Sequence, residues 1–119
     1  MKPSGSSGQP SKTERMERAI CDTIRSIPKG KVATYGGVAE AAGYPRYHRQ
    51  VAQVLGKYGE RLPWHRVLGA GGQLKTPAPW NLEQRMRLEL EGVRFRGKRV
   101  DMKAHENRFF RGEKASRKL

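Results

Sequence analysis

The sequence contains one cysteine, Cys21, so an intramolecular disulfide is impossible. Its histidines, His48, His65 and His105, are scattered, and none stands with a cysteine at zinc-ligand spacing. Neither a structural metal nor a cofactor is expected. No apolar run approaches the roughly 20 residues that a membrane-spanning helix needs. The N-terminal stretch from Met1 to Lys12 is polar and lacks the apolar core of a signal peptide. These absences predict a soluble intracellular protein with no membrane role.

Acidic residues are also scarce. The 119 residues, enough for one domain with a modest core, carry 25 Lys and Arg against 11 Asp and Glu, a net charge of +14. Such an excess repels itself in the folded state, and a polyanionic partner compensates for it. Nucleic acid is the first candidate, an anionic membrane surface the second, and charge kept for solubility the bland alternative. The imbalance is also local. No acid occurs from Gly43 to Gly59, and ten basic residues face three acids from Arg94 to Leu119.

Residues 1–10 are rich in Gly, Ser and Pro and are expected to be disordered. Ser11 and Glu14 fit a capping box, after which Met16, Ile20, Ile24 and Ile27 form one helical stripe. Pro28 and Gly30 stop it. Gly36-Gly37 leads into a short helix with Val38, Ala39 and Ala42 apolar, ended by Gly43. Pro45 opens a second helix that runs to about Gly56, with Val51, Val54 and Leu55 inward. Two short helices about a glycine turn are the helix-turn-helix pattern. The outward face of the second holds Arg46, Tyr47, His48, Arg49, Gln50 and Gln53. A merely solvated face usually mixes charge signs, and this one does not.

The stretch from Leu62 to Leu68, the glycine turn from Gly69 to Gly72 and Gln73-Leu74 together suggest a small hairpin. A stiff loop from Lys75 to Trp80 follows. Asn81 and Gln84 cap a third helix with Leu82, Met86, Leu90 and Val93 inward, ended by Gly92. Arg96-Gly97-Lys98 turns a closing hairpin. The expected fold is a single small α/β domain, residues 11–104, with a winged helix-turn-helix-like core and short β-hairpins. Residues 105–119 are expected to be a flexible basic tail that adds nonspecific affinity for a polyanion.

Pro63-Trp64-His65-Arg66-Val67 resembles the Pro-Cys-His-Arg-Val box of the alkylguanine-DNA alkyltransferases, whose cysteine accepts the alkyl group from O6-alkylguanine. Tryptophan in place of that cysteine is similar to the alkyltransferase-like proteins, which bind without the nucleophile. The segment from Ile27 to Gly36 resembles the family's approach to its helix-turn-helix, and that from Pro45 to Val51 its recognition helix. Leu88-Glu89-Leu90-Glu91-Gly92 resembles the end of its last helix. The likeness covers about residues 14–103, with order and spacing shared across these motifs.

The resemblance implies a monomer that binds double-stranded DNA through the minor groove and extrudes O6-alkylguanine into a pocket, at a cost of a few kcal/mol. It implies that Arg49 fills the vacated stack and that Tyr35 crowds the 3′ phosphate. Arg46, Tyr47, His48 and Gln50 would contact DNA beside them. Tyr35, Trp64, Val67, Leu68, Lys75 and Trp80 would form the lesion pocket. His65 and Glu91, which align with groups that serve cysteine activation, would be structural, since indole supplies no nucleophile. The bound complex would mark the lesion for another pathway, nucleotide excision repair, inside the cell and, if the source is bacterial, in the cytoplasm or nucleoid. One departure concerns the loop after the pocket: relatives can carry an arginine there, and this chain has Lys75 and Trp80 instead.

Taken singly, these residues have plainer readings: a solvated arginine, a core-edge tyrosine, a tryptophan packed in the core. Cys21, next to inward Ile20, reads as a small buried hydrophobe. Three rival functions remain. A true methyltransferase would need Cys21 as acceptor. A sequence-preferring helix-turn-helix regulator would ignore alkylation. An RNA-binding basic protein would prefer RNA.

Overall fold

Ser11 opens the first helix. Its hydroxyl accepts the Glu14 N–H at 3.0 Å, and the Glu14 carboxylate accepts the Ser11 N–H at 2.8 Å. This reciprocal box starts α1 (Lys12–Arg25), which buries Ile20, Cys21 and Ile24. Ile27, just past the helix, is buried with them. The computed structural model of the chain describes residues 9–109. Residues 1–8 and 110–119, with most of the N-terminal segment expected to be disordered and much of the expected tail, lie outside the described residues.

Strand β1 (Ala33–Thr34) runs directly into α2 (Tyr35–Ala41). The Thr34 hydroxyl caps that helix by accepting the Gly37 N–H at 2.9 Å. Gly43 at φ +94° then turns the chain. The second helix begins later than Pro45: α3 is His48–Tyr58. Arg46 sits at φ +75°, a left-handed conformation that no helix continues through. Arg46 and Tyr47 therefore belong to the turn and not to the helix face. Val51 and Val54 are its buried residues, and α2 and α3 pack closely.

The expected hairpin across the glycine turn does not form. Strand β2 (Val67–Leu68) pairs in parallel with β1, Ala33 opposite Val67 and Thr34 opposite Leu68. Parallel strands need a crossover, and α2 with α3 supplies it. The glycines serve another contact. A Cβ on Gly72 (φ +88°) would lie 2.6 Å from the Val100 carbonyl oxygen, and Gln73 bridges Arg99. The turn is thus pressed against the terminal hairpin, β3 (Phe95–Arg96) and β4 (Arg99–Val100), which is antiparallel as expected.

Helix α4 (Trp80–Leu90) faces differently from its apolar spacing. Leu82, Met86 and Leu90 are 69%, 54% and 81% exposed, while Gln84 and Leu88 are fully buried. The Gln84 amide donates to the carbonyls of His65 (3.1 Å) and Val67 (3.2 Å). Buried carbonyls require donors, and that demand fixes the helix face against the apolar stripe. Asn81 lies inside the helix and Pro79 occupies the cap position, so the expected Asn81–Gln84 cap is replaced.

The domain extends past residue 104. Helix α5 (Met102–His105) ends on a histidine that ties two segments together. His105 Nδ1–H donates to the Gly30 carbonyl at 3.1 Å, and Nε2 accepts the Arg94 N–H at 3.0 Å. The Val32 N–H donates to the His105 carbonyl at 2.9 Å and the Asn107 N–H to the Val32 carbonyl at 2.7 Å. Phe109 packs on the core of Ile20, Ile24, Val38, Val51 and Val54. A second core gathers Val32, Leu68, Leu88, Val93 and Val100.

Candidate nucleic-acid interface and pocket

An open pocket of about 1090 Å³ lies where α2, α3, the Trp64 turn and the start of α4 converge. Tyr35, Trp64, Val67, Lys75 and Trp80 line it together. Leu68 does not: successive strand residues face opposite sides, and Leu68 is fully buried in the second core while Val67 joins the first. Trp64 is carried on a 3-10 turn (Trp64–Arg66) between Pro63 and β2. Trp80 is 55% exposed at the opening turn of α4.

Among the lining residues that the sequence reading did not place in the pocket are two on α4. Glu83 and Arg87, four apart on α4, are bonded at 2.9 Å, and the Arg87 guanidinium lies 5.4 Å from the centre of the Trp64 ring. The i,i+4 spacing of opposite charges was their only sequence signal. The apolar spacing of α4 points its other face inward, so it does not aim this pair at the pocket.

Next to Trp64, whose ring meets that of His65 edge-on, is a compact polar cluster. Glu91, just past the end of α4, accepts from His65 Nε2 (2.8 Å), Arg66 Nε (3.0 Å), Arg66 Nη2 (2.7 Å) and the Gly30 N–H (3.3 Å). Arg66 Nη1 also donates to the Ile27 carbonyl at 2.8 Å. Burial alone would raise the Glu91 pKa, but the bonds from Arg66, His65 and Gly30 reverse that and hold it at about 2. Burial lowers the His65 pKa, against the pull of Glu91, so its ring stays neutral. The geometry agrees: Nε2–H points to Glu91, and buried Nδ1 finds no partner among the described residues. A proton on Nδ1 would be a buried donor left unsatisfied.

Burial raises the Tyr35 pKa, so its phenol also stays neutral at the pocket edge. Across the turn from α2 to α3, Arg46, Tyr47, His48 and Arg49 are all exposed, and Gln50 is half-buried. Tyr47 stacks at a tilt on Tyr44, ring centres 5.5 Å apart. Cys21, 7% exposed within α1, is not among the pocket-lining residues. The site therefore joins an exposed basic edge to an indole-lined pocket and holds no thiol.

Fold and site define a small α/β domain with a winged helix-turn-helix-like core, its second helix beside an open, indole-lined pocket. The chain belongs to the 6-O-methylguanine DNA methyltransferase family, whose DNA-binding-domain model matches residues 15–93. A DNA base-flipping protein from Vibrio parahaemolyticus is 44% identical over 76 residues, covering 62% of this chain and 76% of that protein. Alkyltransferase-like protein 1 of Schizosaccharomyces pombe is 41% identical over 78 residues, covering 62% and 72%. The crystal structure of S. pombe Atl1 with damaged DNA containing O6-carboxymethylguanine superposes with a TM-score of 0.67 at 29% identity, covering 78% of this chain and 94% of that one.

Proposed function

We propose that this protein recognises O6-alkylguanine in double-stranded DNA by extruding the base into the Trp64 pocket, and that it does so without transferring the alkyl group. The observation that carries the reading is Trp64. It occupies the acceptor position of the Pro-Cys-His-Arg-Val box, at the wall of an open pocket, next to an intact His65–Glu91–Arg66 cluster. The flat indole offers an apolar surface to an extruded base, at a site where no thiol stands. Arg49 enters the vacated stack, Tyr35 presses on the neighbouring phosphate, and Arg46, Tyr47, His48 and Gln50 hold the backbone. The bound complex then marks the lesion for another system, nucleotide excision repair. The relatives named for base flipping and the Atl1 complex with damaged DNA support this reading.

Two duplexes that differ only by a methyl on one guanine O6 test it. The methylated duplex should bind at least several-fold more tightly in a fluorescence competition. Equal affinity would sink the reading.

The absence of transfer has its own test in Trp64→Cys, which rebuilds the Pro-Cys-His-Arg-Val box. Activation of a thiol needs an aligned base, and a displacement near 1 Å can cost about a hundredfold in rate. His65 gives its Nε2–H to Glu91, which leaves Nδ1 as the base, but Nδ1 is buried and the lost indole leaves a cavity in the wall. The variant should still prefer methylated DNA, bind it more weakly, and accept methyl slowly or undetectably. Mass spectrometry reads acceptance as a gain of about 14 Da on the chain. Rapid stoichiometric gain by the variant would show a site still set for catalysis. Gain by the unaltered protein at Cys21 would make it an enzyme.

A further inference from the structure

We infer that Lys75 makes the pocket selective for O6 substituents that carry negative charge, such as carboxymethyl; the inference rests on the reading of this pocket as the lesion site. It begins with the charges that line the pocket. Lys57, Arg61, Lys75 and Arg87 face Glu60 and Glu83. Two of the cations are already matched, Arg87 by Glu83 at 2.9 Å and Lys57 by Glu17 at 3.2 Å. Arg61 and Lys75 have no ion pair among the described residues.

Lys75 differs from Arg61 in how its stem is held. A Cβ on buried Gly69 would lie 2.7 Å from Lys75 Cγ and 3.0 Å from Cε. The aliphatic stem therefore lies flat on a backbone that only glycine leaves bare. Gly69 is itself fixed by its N–H bond to the Gln73 carbonyl at 2.7 Å. The stem packs there while the residue stays exposed, so its charged end is open to a ligand. The same pocket wall carries Trp64 and Trp80. Indole faces are electron-rich and attract cations, so neither ring favours an anionic substituent. Lys75, unpaired among the described residues, lines the same pocket and supplies what the rings lack. An extruded base would also exclude water from the pocket and strengthen the contact.

The test uses four otherwise identical duplexes with guanine, O6-methylguanine, O6-carboxymethylguanine or O6-carbamoylmethylguanine. The last is a neutral near-isostere of the third. Affinities are measured for the unaltered protein, Lys75→Gln, Lys75→Arg and Lys98→Gln. Lys98, in the exposed β3–β4 turn, controls for the change in net charge. The unaltered protein should prefer carboxymethyl over carbamoylmethyl by about five-fold, the scale of one partly screened ion pair. Lys75→Gln should bring that ratio to one while keeping the methyl preference. Lys75→Arg and Lys98→Gln should keep the ratio. A ratio of one in the unaltered protein with the methyl preference intact overturns this inference alone. An equal loss on all four duplexes in Lys75→Gln also overturns it, and identifies Lys75 as a backbone phosphate contact. Equal binding of methylated and unmodified DNA overturns the lesion-pocket reading and this inference with it.

Discussion

Replacing Glu91 with alanine is expected to lower the stability of the domain by about 3–5 kcal/mol, the usual cost of removing one partner from a buried ion pair. The carboxylate side chain is 11% exposed and serves Arg66, His65 and the Gly30 N–H at once. Arg66, only 15% exposed, would keep its charge and its bond to the Ile27 carbonyl but lose its counterion. Acid provides an independent measure of the same cluster. The Glu91 pKa falls from 4.5 to about 2 in the folded state. A depressed carboxylate stabilises above its unfolded value, and that stability disappears as pH falls from about 4.5 toward 2. At about 1.36 kcal/mol per pKa unit, a loss on the order of 3 kcal/mol is expected across that window. Glu91→Gln, which keeps an acceptor and loses the charge, should fall between alanine and the parent and flatten the acid limb. His65 acts in the same direction at higher pH. Burial lowers its pKa, so protonation disfavours the fold as pH drops below about 6.5. Urea titrations at pH 7 and at successively lower pH measure both effects. A loss below about 1 kcal/mol for Glu91→Ala would show that water replaces the carboxylate at little cost.

The helices of the N-terminal half were legible because local chemistry decided them. Ser11 and Glu14 bonded as their spacing requires, and Ile20, Ile24 and Ile27 are all buried. Three of the misread places share one cause, a long-range partner that overrode a local pattern, whereas the late start of α3 is local and set by the left-handed Arg46. Val67 and Leu68 looked like one arm of a hairpin, yet they pair with β1, more than thirty positions earlier in the chain. The apolar spacing of Leu82, Met86 and Leu90 is real, but Gln84 answers two buried carbonyls and turns that stripe outward. No single-sequence pattern encodes a carbonyl waiting nineteen positions upstream. His105, expected to begin a tail, accepts a backbone N–H and donates to a carbonyl across the second core. At the site, the linear motif brought Trp64, His65 and Glu91 into view because spacing along the chain carried them. Arg87 reaches Trp64 only through the orientation of α4, which the motif does not contain.

Replacing Arg49 with alanine is expected to weaken binding to O6-methylguanine DNA by about ten- to a hundredfold, a loss of 1–3 kcal/mol. The expectation rests on what base extrusion leaves behind. A flipped nucleotide opens a gap in the stack and orphans its cytosine. A planar guanidinium can fill the gap and donate to that base, and an ammonium or a methyl cannot. Arg49 lies exposed in the opening turn of α3, with no ion pair among the described residues, so its side chain is available for insertion. Its removal should leave thermal stability nearly unchanged, as surface substitutions usually do. That separates a binding defect from a folding one. Arg96, 80% exposed on the β3–β4 hairpin, is the control. An exposed arginine there makes at most one screened phosphate contact, so Arg96→Ala should cost less and lower the log–log salt slope by no more than about one. Arg49→Lys keeps the charge and loses the plane, so its affinity should stay close to that of Arg49→Ala. An Arg49→Ala loss no larger than the Arg96→Ala loss, or full rescue by lysine, would reduce Arg49 to an ordinary phosphate contact and leave the filling of the gap to another residue of the exposed turn.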